Sequence, residues 1–197
     1  GGRRALAGYF TVFHFQNPVR GCLSRICQAL VLPPYQRQGL GSKILNFIYK
    51  AMRERDHVSE ITVEDPAVGF SQLRDIVDAR VCLEHQVFPT LKSDGEGVLN
   101  KDFNFEQLEK KVLDHAQKVL KLTVQQIIQS YEVIILKYLD GSDPEMVKKY
   151  RLMVKRRLFI EFKSELMNCG DKTERQRILG EMYEDVVKRY NQFIAAI

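Results

Sequence analysis

The sequence has few cysteines and lacks several segments that would place a protein outside the cell or in a membrane. No run of 18 apolar residues occurs, which excludes a transmembrane helix. The first residues, GGRR, carry no apolar stretch and so predict no secretory signal peptide. The cysteines form no CxxC pair, which predicts reduced thiols of an intracellular protein rather than a disulfide framework; they are Cys22, Cys27, Cys82 and Cys169.

The composition is that of a folded protein. Of the 197 residues, 45% are hydrophobic and 28% are charged, with 11 Phe and 8 Tyr, which excludes wholesale disorder. This length suits one large domain or two small ones. The charge is segregated, because residues 1–57 contain 9 basic and 2 acidic residues, whereas residues 58–100 contain 3 basic and 8 acidic ones. A basic segment followed by an acidic one could bind an anionic cofactor beside a cationic substrate, or the two segments could be unrelated solvated surfaces.

The first half of the chain alternates between strand and helix patterns. Strands are predicted over 5–15, 23–32 and 58–64, with a further possible strand near 81–88. Helical spacing begins at Leu40 and ends near Met52, and a second helix is predicted around Phe70 to Val77. This pattern predicts an α/β part over residues 1–98.

The second half predicts only helices, over 103–121, 124–139, 144–160 and 174–195. Three of their starts carry capping-box spacing, namely Thr123 with Gln126, Ser142 with Glu145, and Thr173 with Gln176. We therefore expect an all-helical domain over residues 99–197, joined to the first part by a linker at 93–97.

The segment that joins the second strand to the first helix is the most informative one. A helix N-terminus offers free amides and a partial positive charge, so it attracts phosphate. Gly39 and Gly41 remove side chains where an anion would approach, and Arg37 and Lys43 add charge. An ordinary strand–helix turn explains the two glycines as well. Neither a GxxxxGK[ST] loop nor a complete GxGxxG is present, which argues against nucleotide binding.

The spacing Gln36-x-x-Gly39-x-Gly41 matches the acetyl-coenzyme A signature [RQ]xxGx[GA] of the GNAT acetyltransferase superfamily. The flanking VLPPYQ, the later ITVEDP and LRD, and the YRL and KRRL segments closely resemble the type B histone acetyltransferase catalytic subunits of that superfamily. The resemblance extends from about Gly8 to Leu158. It implies a GNAT core with a mixed sheet, followed by a helical C-terminal region.

The resemblance also implies roles for particular residues, with acetyl-CoA as co-substrate and no metal. Main-chain groups of Ala29, Leu30 and Val31 would hold the pantetheine arm and the acetyl carbonyl. Glu64 would be the general base, with Asp65 close to the substrate amine. Ala67 stands where some members have an asparagine that contacts the cofactor, so only its backbone could do so. The pyrophosphate would be wrapped by Gln36, Arg37, Gln38, Gly39, Leu40, Gly41 and Ser42.

The residues themselves are compatible with this chemistry. A lysine amine has a reference pKa of ~10.4 and cannot attack a thioester until a base removes its proton. A carboxylate at the end of a central strand suits that task, although Glu64 and Asp65 could merely end the strand and cap a helix. A backbone amide near Leu30 is the expected oxyanion donor. Many members have a tyrosine in this region that can act as general acid. This sequence has Phe70 and no tyrosine there, so no general acid is assigned.

Other candidate sites are weaker. Cys22 and Cys27 are five residues apart on one strand, which predicts that they face opposite sides and share no metal. The basic residues between Lys148 and Arg157 could touch nucleic acid, but a solvated helix face explains them better, and we expect no direct nucleic-acid binding.

The resemblance finally implies a function and partners. The expected reaction is acetyl transfer to a lysine of free histone H4, through its N-terminal tail, by direct attack in a ternary complex. A WD40-repeat histone chaperone is the expected partner, and the nucleus and cytoplasm are the expected locations. The family has a further N-terminal portion that helps to form the histone groove and that we expect to be missing here. Two alternatives are a GNAT enzyme for another amine, and a catalytically weak module that binds acetyl-CoA and docks a partner.

Overall fold

A computed structural model describes residues 5–89, 91, 99, 103–105 and 108–197. Its sheet has three strands in the order β1-β2-β3, where β1 is Gly8–Asn17, β2 is Gly21–Val31 and β3 is Val58–Val63. β1 and β2 pair antiparallel, and β2 and β3 pair parallel, so the mixed sheet of an α/β fold is confirmed. In the hairpin turn, the Asn17 side-chain oxygen accepts bonds of 2.9 Å from the amides of Val19 and Arg20.

Two helices follow the parallel strands. Helix α1 is Leu40–Arg53 and helix α2 is Val68–Glu84. The predicted apolar stripe of α1 is confirmed, because Leu45, Ile48, Tyr49 and Met52 are all buried. The strand predicted near 81–88 is wrong. Val77 and Val81, four residues apart, lie on one buried face of α2, so the apolar run there follows helical periodicity.

The helical part contains five α-helices and a 3₁₀ turn, Ile194–Ala196, among the described residues. The α-helices are α3 Lys110–Leu120, α4 Val124–Tyr138, α5 Pro144–Glu161, α6 Lys163–Asn168 and α7 Lys172–Asn191. The helix predicted from residue 103 begins only at Lys110, and Phe103 and Phe105 pack edge to face instead, with ring centroids 5.0 Å apart. Helix α6 lies within the predicted all-helical region, although the sequence predicted no separate helix there.

One of the three predicted capping boxes is confirmed. Thr123 caps α4, and Gln126 bonds back to it. The predictions at Ser142 and Thr173 are wrong, because Asp143 and Asp171 cap those helices instead. A carboxylate is a charged acceptor that also complements the helix dipole, so it competes well with a neighbouring hydroxyl.

The helical part packs directly on the sheet-bearing part. Helix α2 packs against α4, and one continuous hydrophobic core includes Ile61 of β3 and Ile134 of α4. Lys121, in the left-handed conformation after α3, accepts a 2.7 Å bond from the Ile61 amide at its carbonyl and donates its ammonium to carbonyls at the end of α1. The predicted division at 98/99 stays a prediction, and its linker at 93–97 lies outside the described residues. In the described part of the chain, no helix has the length and apolar content needed to cross a bilayer.

A buried polar network at this junction orients α2. The Asp78 carboxylate accepts bonds from the Tyr49 hydroxyl at 2.6 Å and from the Gln126 amide at 2.5 Å. Arg74 lies 3.8 Å from the same carboxylate and donates to the Ile61 carbonyl. Burial raises the pKa of Asp78, and the hydrogen bonds satisfy its oxygens. This network ties α1, α2 and α4 to β3, the strand that carries Glu64 at its end.

A neighbouring carboxyl predicts unusual pH dependence. Asp75 of α2 lies 3.5 Å from Arg189 of α7 without a well-formed hydrogen bond, and burial raises its pKa from 3.8 to about 6. The folded protein therefore binds a proton that the unfolded chain lacks between about pH 4 and 6, so this group lowers stability as the pH rises through that window. We expect Asp75→Asn to raise the free energy of unfolding at pH 7 by roughly 1 to 3 kcal/mol, and the gain to vanish near pH 4.

Urea unfolding at a series of pH values measures this effect. The matched control is Asp185→Asn, on the exposed surface of α7, which should leave the pH profile unchanged. A loss of stability in Asp75→Asn at pH 7 would show instead that the ion pair with Arg189 outweighs the burial of the charge.

Candidate active site

The parallel pairing of β2 and β3 stops where β3 ends, and the unpaired side of β2 beyond Ile26 is here called the gap. Their pairing runs from Cys22 opposite Val58 to Ile26 opposite Val63. The last hydrogen bond joins the Glu64 amide to the Ile26 carbonyl at 3.0 Å. Beyond Ile26, β2 continues to Val31 with only β1 as its described strand neighbour. A flat molecular arm could therefore enter between the strands as an additional hydrogen-bonding partner.

The backbone groups that face this gap follow from the alternation along β2. The Leu32 amide bonds to the Ala7 carbonyl at 2.8 Å, and a Cβ added to Gly8 would collide with the Leu30 carbonyl oxygen. Leu30 therefore directs its polar groups toward β1, and Ala29 and Val31 direct theirs toward the gap. The Leu30 amide therefore does not face the gap, whereas the amides of Ala29 and Val31 do.

A β-bulge precedes these residues. Thr11 lies opposite Gln28, but Val12 lies opposite Ile26, so Cys27 is an extra residue in β2. A bulge bends its strand and increases the local twist. It lies at the point where β2 separates from β3, and the sequence alone carried no signal for it.

The loop after β2 is braced by two glutamine side chains. A single 3₁₀ turn, Pro33–Tyr35, ends the strand. Gln36 then turns its side chain back and donates to the Val31 carbonyl at 2.8 Å, and Gln38 donates to the Pro34 carbonyl at 3.0 Å. Gln36 thus braces the loop, so any contact it makes with a pyrophosphate would come from its main chain.

Helix α1 begins with amides that no side chain caps. Its N-cap is Gly39, in the left-handed conformation at φ 74°, and a Cβ there would project into open space. Gly41 is a glycine for a different reason, since its φ is negative and a Cβ would lie 3.0 Å from Cδ2 of Leu73. Gly39 therefore supplies the left-handed conformation before α1 and leaves the space in front of the first amides of the helix open. Gly41 allows α1 to approach α2.

The two candidate catalytic carboxylates lie at the foot of the gap. Glu64 and Asp65 are both exposed, and Asp65 has a positive φ of 40° that turns the chain away from β3. Neither residue caps α2, whose N-cap is Ala67 and which has no side-chain cap. The alternative that these carboxylates serve only as a helix cap is therefore wrong. Ala67 has no polar side-chain atom, so any contact it makes with a cofactor uses its backbone.

The structure thus brings the predicted residues to one edge of the sheet, at the carboxyl ends of β2 and β3. In the ranges that the structure describes, no cluster of three or more His, Cys, Asp or Glu side chains is placed to hold a metal. Phe70 lies in the region where many GNAT members have a tyrosine that acts as general acid. Its ring packs on Phe10 with ring centroids 6.0 Å apart. Its role is packing.

Among the described residues, the carboxylates of the acidic segment 58–100 do not share one exposed surface. Three of its carboxylates have other partners or are withdrawn from solvent. Asp75 and Asp78 lie in the α2 junction, and Glu60 is buried between Arg20 and Gln117. Glu64 and Asp65, at the foot of the gap, are exposed.

Comparison with known proteins agrees with this geometry. Residues 2–73 match the model of the acetyltransferase (GNAT) family. The chain is similar to the histone acetyltransferase type B catalytic subunit of Cryptococcus neoformans, with 34% identity over 95% of this chain and 44% of the relative. The protein of the same name from Mycosarcoma maydis is 34% identical over 95% of this chain and 40% of the relative. The human one is 33% identical over 81% of this chain and 35% of the relative. The chain therefore spans less than half the length of these curated relatives.

Proposed function

We propose that the protein transfers an acetyl group from acetyl-CoA to a lysine of histone H4. Residues 2–73 match the GNAT acetyltransferase family, and the chain is related to type B histone acetyltransferase catalytic subunits. The observation that carries the proposal is the gap between β2 and β3, with an uncapped helix N-terminus at its mouth and Glu64 at its foot.

The residues present fit the donor molecule. Backbone groups of Ala29 and Val31 face the gap and can hydrogen-bond the amide groups of a pantetheine arm. The free amides of Leu40, Gly41 and Ser42 in the first turn of α1 can bind the pyrophosphate, with Gly39 leaving the approach open. When bound, acetyl-CoA supplies the activated acetyl group, and the chain supplies its orientation.

Glu64 is proposed to remove the proton from the lysine ammonium. It is held at the foot of the gap by its own amide, which bonds to the Ile26 carbonyl, and its carboxylate is open to solvent and to a substrate. An amide of Ala29 or Val31 that points into the gap can stabilise negative charge developing on an acetyl oxygen. Asp65 adds a second negative charge that favours binding of a cationic amine.

Direct attack by the amine is favoured over an acyl-enzyme. Cys27 is the thiol nearest the gap, but desolvation and the Glu64 carboxylate raise its pKa, which disfavours the thiolate that would act as nucleophile. The chain therefore provides a base and no activated nucleophile at this edge of the sheet, in keeping with a ternary complex.

The acceptor, the partner and the location are proposals that extend the family resemblance of the sequence. The relatives' name supports histone as the acceptor, and the word subunit in that name supports an assembly with another chain. We propose the N-terminal tail of free H4 as the acceptor, a WD40-repeat histone chaperone as the partner, and the nucleus and cytoplasm as the locations. These refine the general activity of a histone acetyltransferase.

A panel of acceptors tests the proposal. The chain is incubated with labelled acetyl-CoA and either an H4 tail peptide, the same peptide with every lysine already acetylated, or a small polyamine. Transfer to the unmodified peptide alone supports the proposal. Transfer to the polyamine alone supports an enzyme for another amine, and binding of acetyl-CoA without transfer to any acceptor supports a binding module.

The helix N-terminus yields a separate prediction about donor binding. We expect Gly39→Val to raise the Kd for acetyl-CoA roughly tenfold or more, a loss of about 1.4 kcal/mol. The new side chain would stand in the open space before α1, and a β-branched residue also resists the left-handed conformation. Isothermal titration measures the affinity. Gly141→Val, at an open position distant in the chain from this site, is the control, and unchanged affinity in Gly39→Val would remove the pyrophosphate from this helix.

A further inference from the structure

One side of helix α5 presents large apolar side chains and basic side chains to solvent together. Leu152 and Phe159, two turns apart on one line of the helix, are 54% and 37% exposed, and Ile160 beside them is 59% exposed. Lys149 and Arg156 lie on the same side of the helix and are also exposed. These five residues are called the α5 face. The opposite side of α5 packs against α4 and α7.

The charges of the α5 face are not neutralised by the rest of the described chain. Within the residues that the structure describes, neither Lys149 nor Arg156 has an acidic side chain within ion-pair distance. The neighbouring Lys148 reaches Glu145 at 3.8 Å, with both side chains mostly exposed, and such a pair contributes little. The α5 face therefore carries positive charge that an external anionic group could neutralise.

Helix α7 shows how an ordinary solvated helix surface looks in this protein. Its Arg177 pairs with Glu174 and with Glu181, one turn away on either side. Helix α7 is described over its whole length, and no large apolar side chain on it is exposed. A solvated surface therefore accounts for the charges of α7, but it leaves the exposed apolar side chains of the α5 face unexplained.

We infer that the α5 face docks an acidic, amphipathic helix of a protein partner. Leu152 and Phe159 are about 10.5 Å apart along the axis, at 1.5 Å per residue. This spacing matches apolar side chains two turns apart on a second helix that lies alongside α5. Carboxylates that flank those side chains on the partner would meet Lys149 and Arg156, so the charges of the two surfaces would be complementary.

The apolar side chains favour a protein partner over a nucleic acid. A phosphate backbone would neutralise Lys149 and Arg156, but it offers no apolar group to cover Leu152 and Phe159. A basic peptide, such as the acceptor proposed above, would be repelled by the same two charges. The α5 face is thus suited to a partner other than the acetyl acceptor.

Fluorescence anisotropy with designed probes tests the inference on the whole chain. The first probe is a labelled peptide of about 15 residues, with Leu along one helical face and Glu and Ala elsewhere. In the second peptide each Leu is replaced by Ser, so that the charge is kept and the apolar face is lost. A labelled single-stranded oligonucleotide of similar length is the nucleic-acid probe. We expect saturable binding of the leucine peptide and much weaker binding of the other two probes.

Two double variants of the α5 face should weaken binding of the leucine peptide. We expect its Kd to rise roughly tenfold or more, a loss of about 1.4 kcal/mol, in Leu152→Ser with Phe159→Ser and in Lys149→Glu with Arg156→Glu. The four side chains are exposed, so the helix should remain folded, which circular dichroism checks.

Matched controls make the same chemical changes elsewhere. Phe47→Ser removes another exposed phenylalanine, on α1, which is 71% exposed. Lys172→Glu with Lys188→Glu reverses two exposed charges on α7 and so alters the net charge of the chain equally. Both controls should keep the Kd within about twofold of that of the wild type.

Four outcomes would overturn the inference. The first two are equal affinity for the serine and leucine peptides, and an equal loss of affinity in the controls and in the variants of the α5 face. The third is tighter binding of the oligonucleotide that Leu152→Ser with Phe159→Ser leaves unchanged, which would assign the face to nucleic acid. The fourth is no saturable peptide binding up to about 1 mM. Because the measurement uses no acetyl-CoA, none of these results bears on the proposed acetyl transfer.

Discussion

Replacing Glu64 by Gln is expected to lower kcat roughly a hundredfold or more, the scale of a lost general base. The amide is nearly isosteric with the carboxylate but cannot accept the proton of a lysine ammonium. Because the Glu64 side chain is exposed and its amide makes the strand contact, the substitution should leave the fold intact. Steady-state kinetics with acetyl-CoA and an H4 tail peptide, compared with calorimetric binding of acetyl-CoA, measure the two effects separately.

Two features distinguish the loss of a base from general damage. The residual rate of Glu64→Gln should rise with pH, since bulk solvent can then deprotonate the lysine, and the Kd for acetyl-CoA should be unchanged. Asp65→Asn is the matched control, because it alters the adjacent exposed carboxylate at the same edge of the sheet. If Asp65→Asn loses the activity and Glu64→Gln retains it, the base is Asp65.

The second large effect concerns stability and lies in the helical part. The Glu132 carboxylate, 2% exposed, accepts two bonds from Arg157, at 2.7 Å and 3.1 Å, and one from the Tyr190 hydroxyl at 3.0 Å. These three hydrogen bonds thus join α4, α5 and α7. We expect Glu132→Ala to lower the free energy of unfolding by about 3 to 5 kcal/mol, because it leaves the Arg157 charge and the Tyr190 hydroxyl without their acceptor.

Urea denaturation of two further variants shows whether the uncompensated charge is the cause. Glu132→Ala combined with Arg157→Met should recover much of the loss, because the double variant leaves no unpaired buried charge. Glu145→Ala, which removes an exposed partner of Lys148 on α5, should have an effect several times smaller. If the double variant loses more free energy of unfolding than the two single variants lose together, the uncompensated charge is not the cause.

The elements that the sequence predicts well are those with strong periodicity and local chemistry. The stripe of α1, the three strands of the sheet and the capping box at Thr123 depend on residues near one another in the chain, so their patterns are readable. The strand expected near 81–88 failed because a short apolar run fits either period. It was decided by packing of α2 against α4, which is a tertiary contact.

The sequence indicates which residues could form the candidate site, but it does not indicate how the strands and the helix arrange them. The loop from Gln36 to Ser42 and the carboxylate of Glu64 stand out by composition. The bulge at Cys27, the orientation of Leu30 toward β1 and the distinct reasons for Gly39 and Gly41 depend on strand register and on Leu73, which lies far along the chain. The segregation of charge left two interpretations open, and it does not reveal that Asp75 and Asp78 take part in the packing of α2.

Binding of acetyl-CoA along the free edge of β2 is tested most directly by a titration followed by backbone amide NMR. Acetyl-CoA is added to the ¹⁵N-labelled chain, with Gly39→Val as the matched variant. We predict that the largest shifts fall on Ala29, Val31 and the amides of residues 37–42, and that the variant requires far more ligand to reach them. Shifts confined to the helical part, with β2 and the start of α1 unchanged at saturation, would contradict the account.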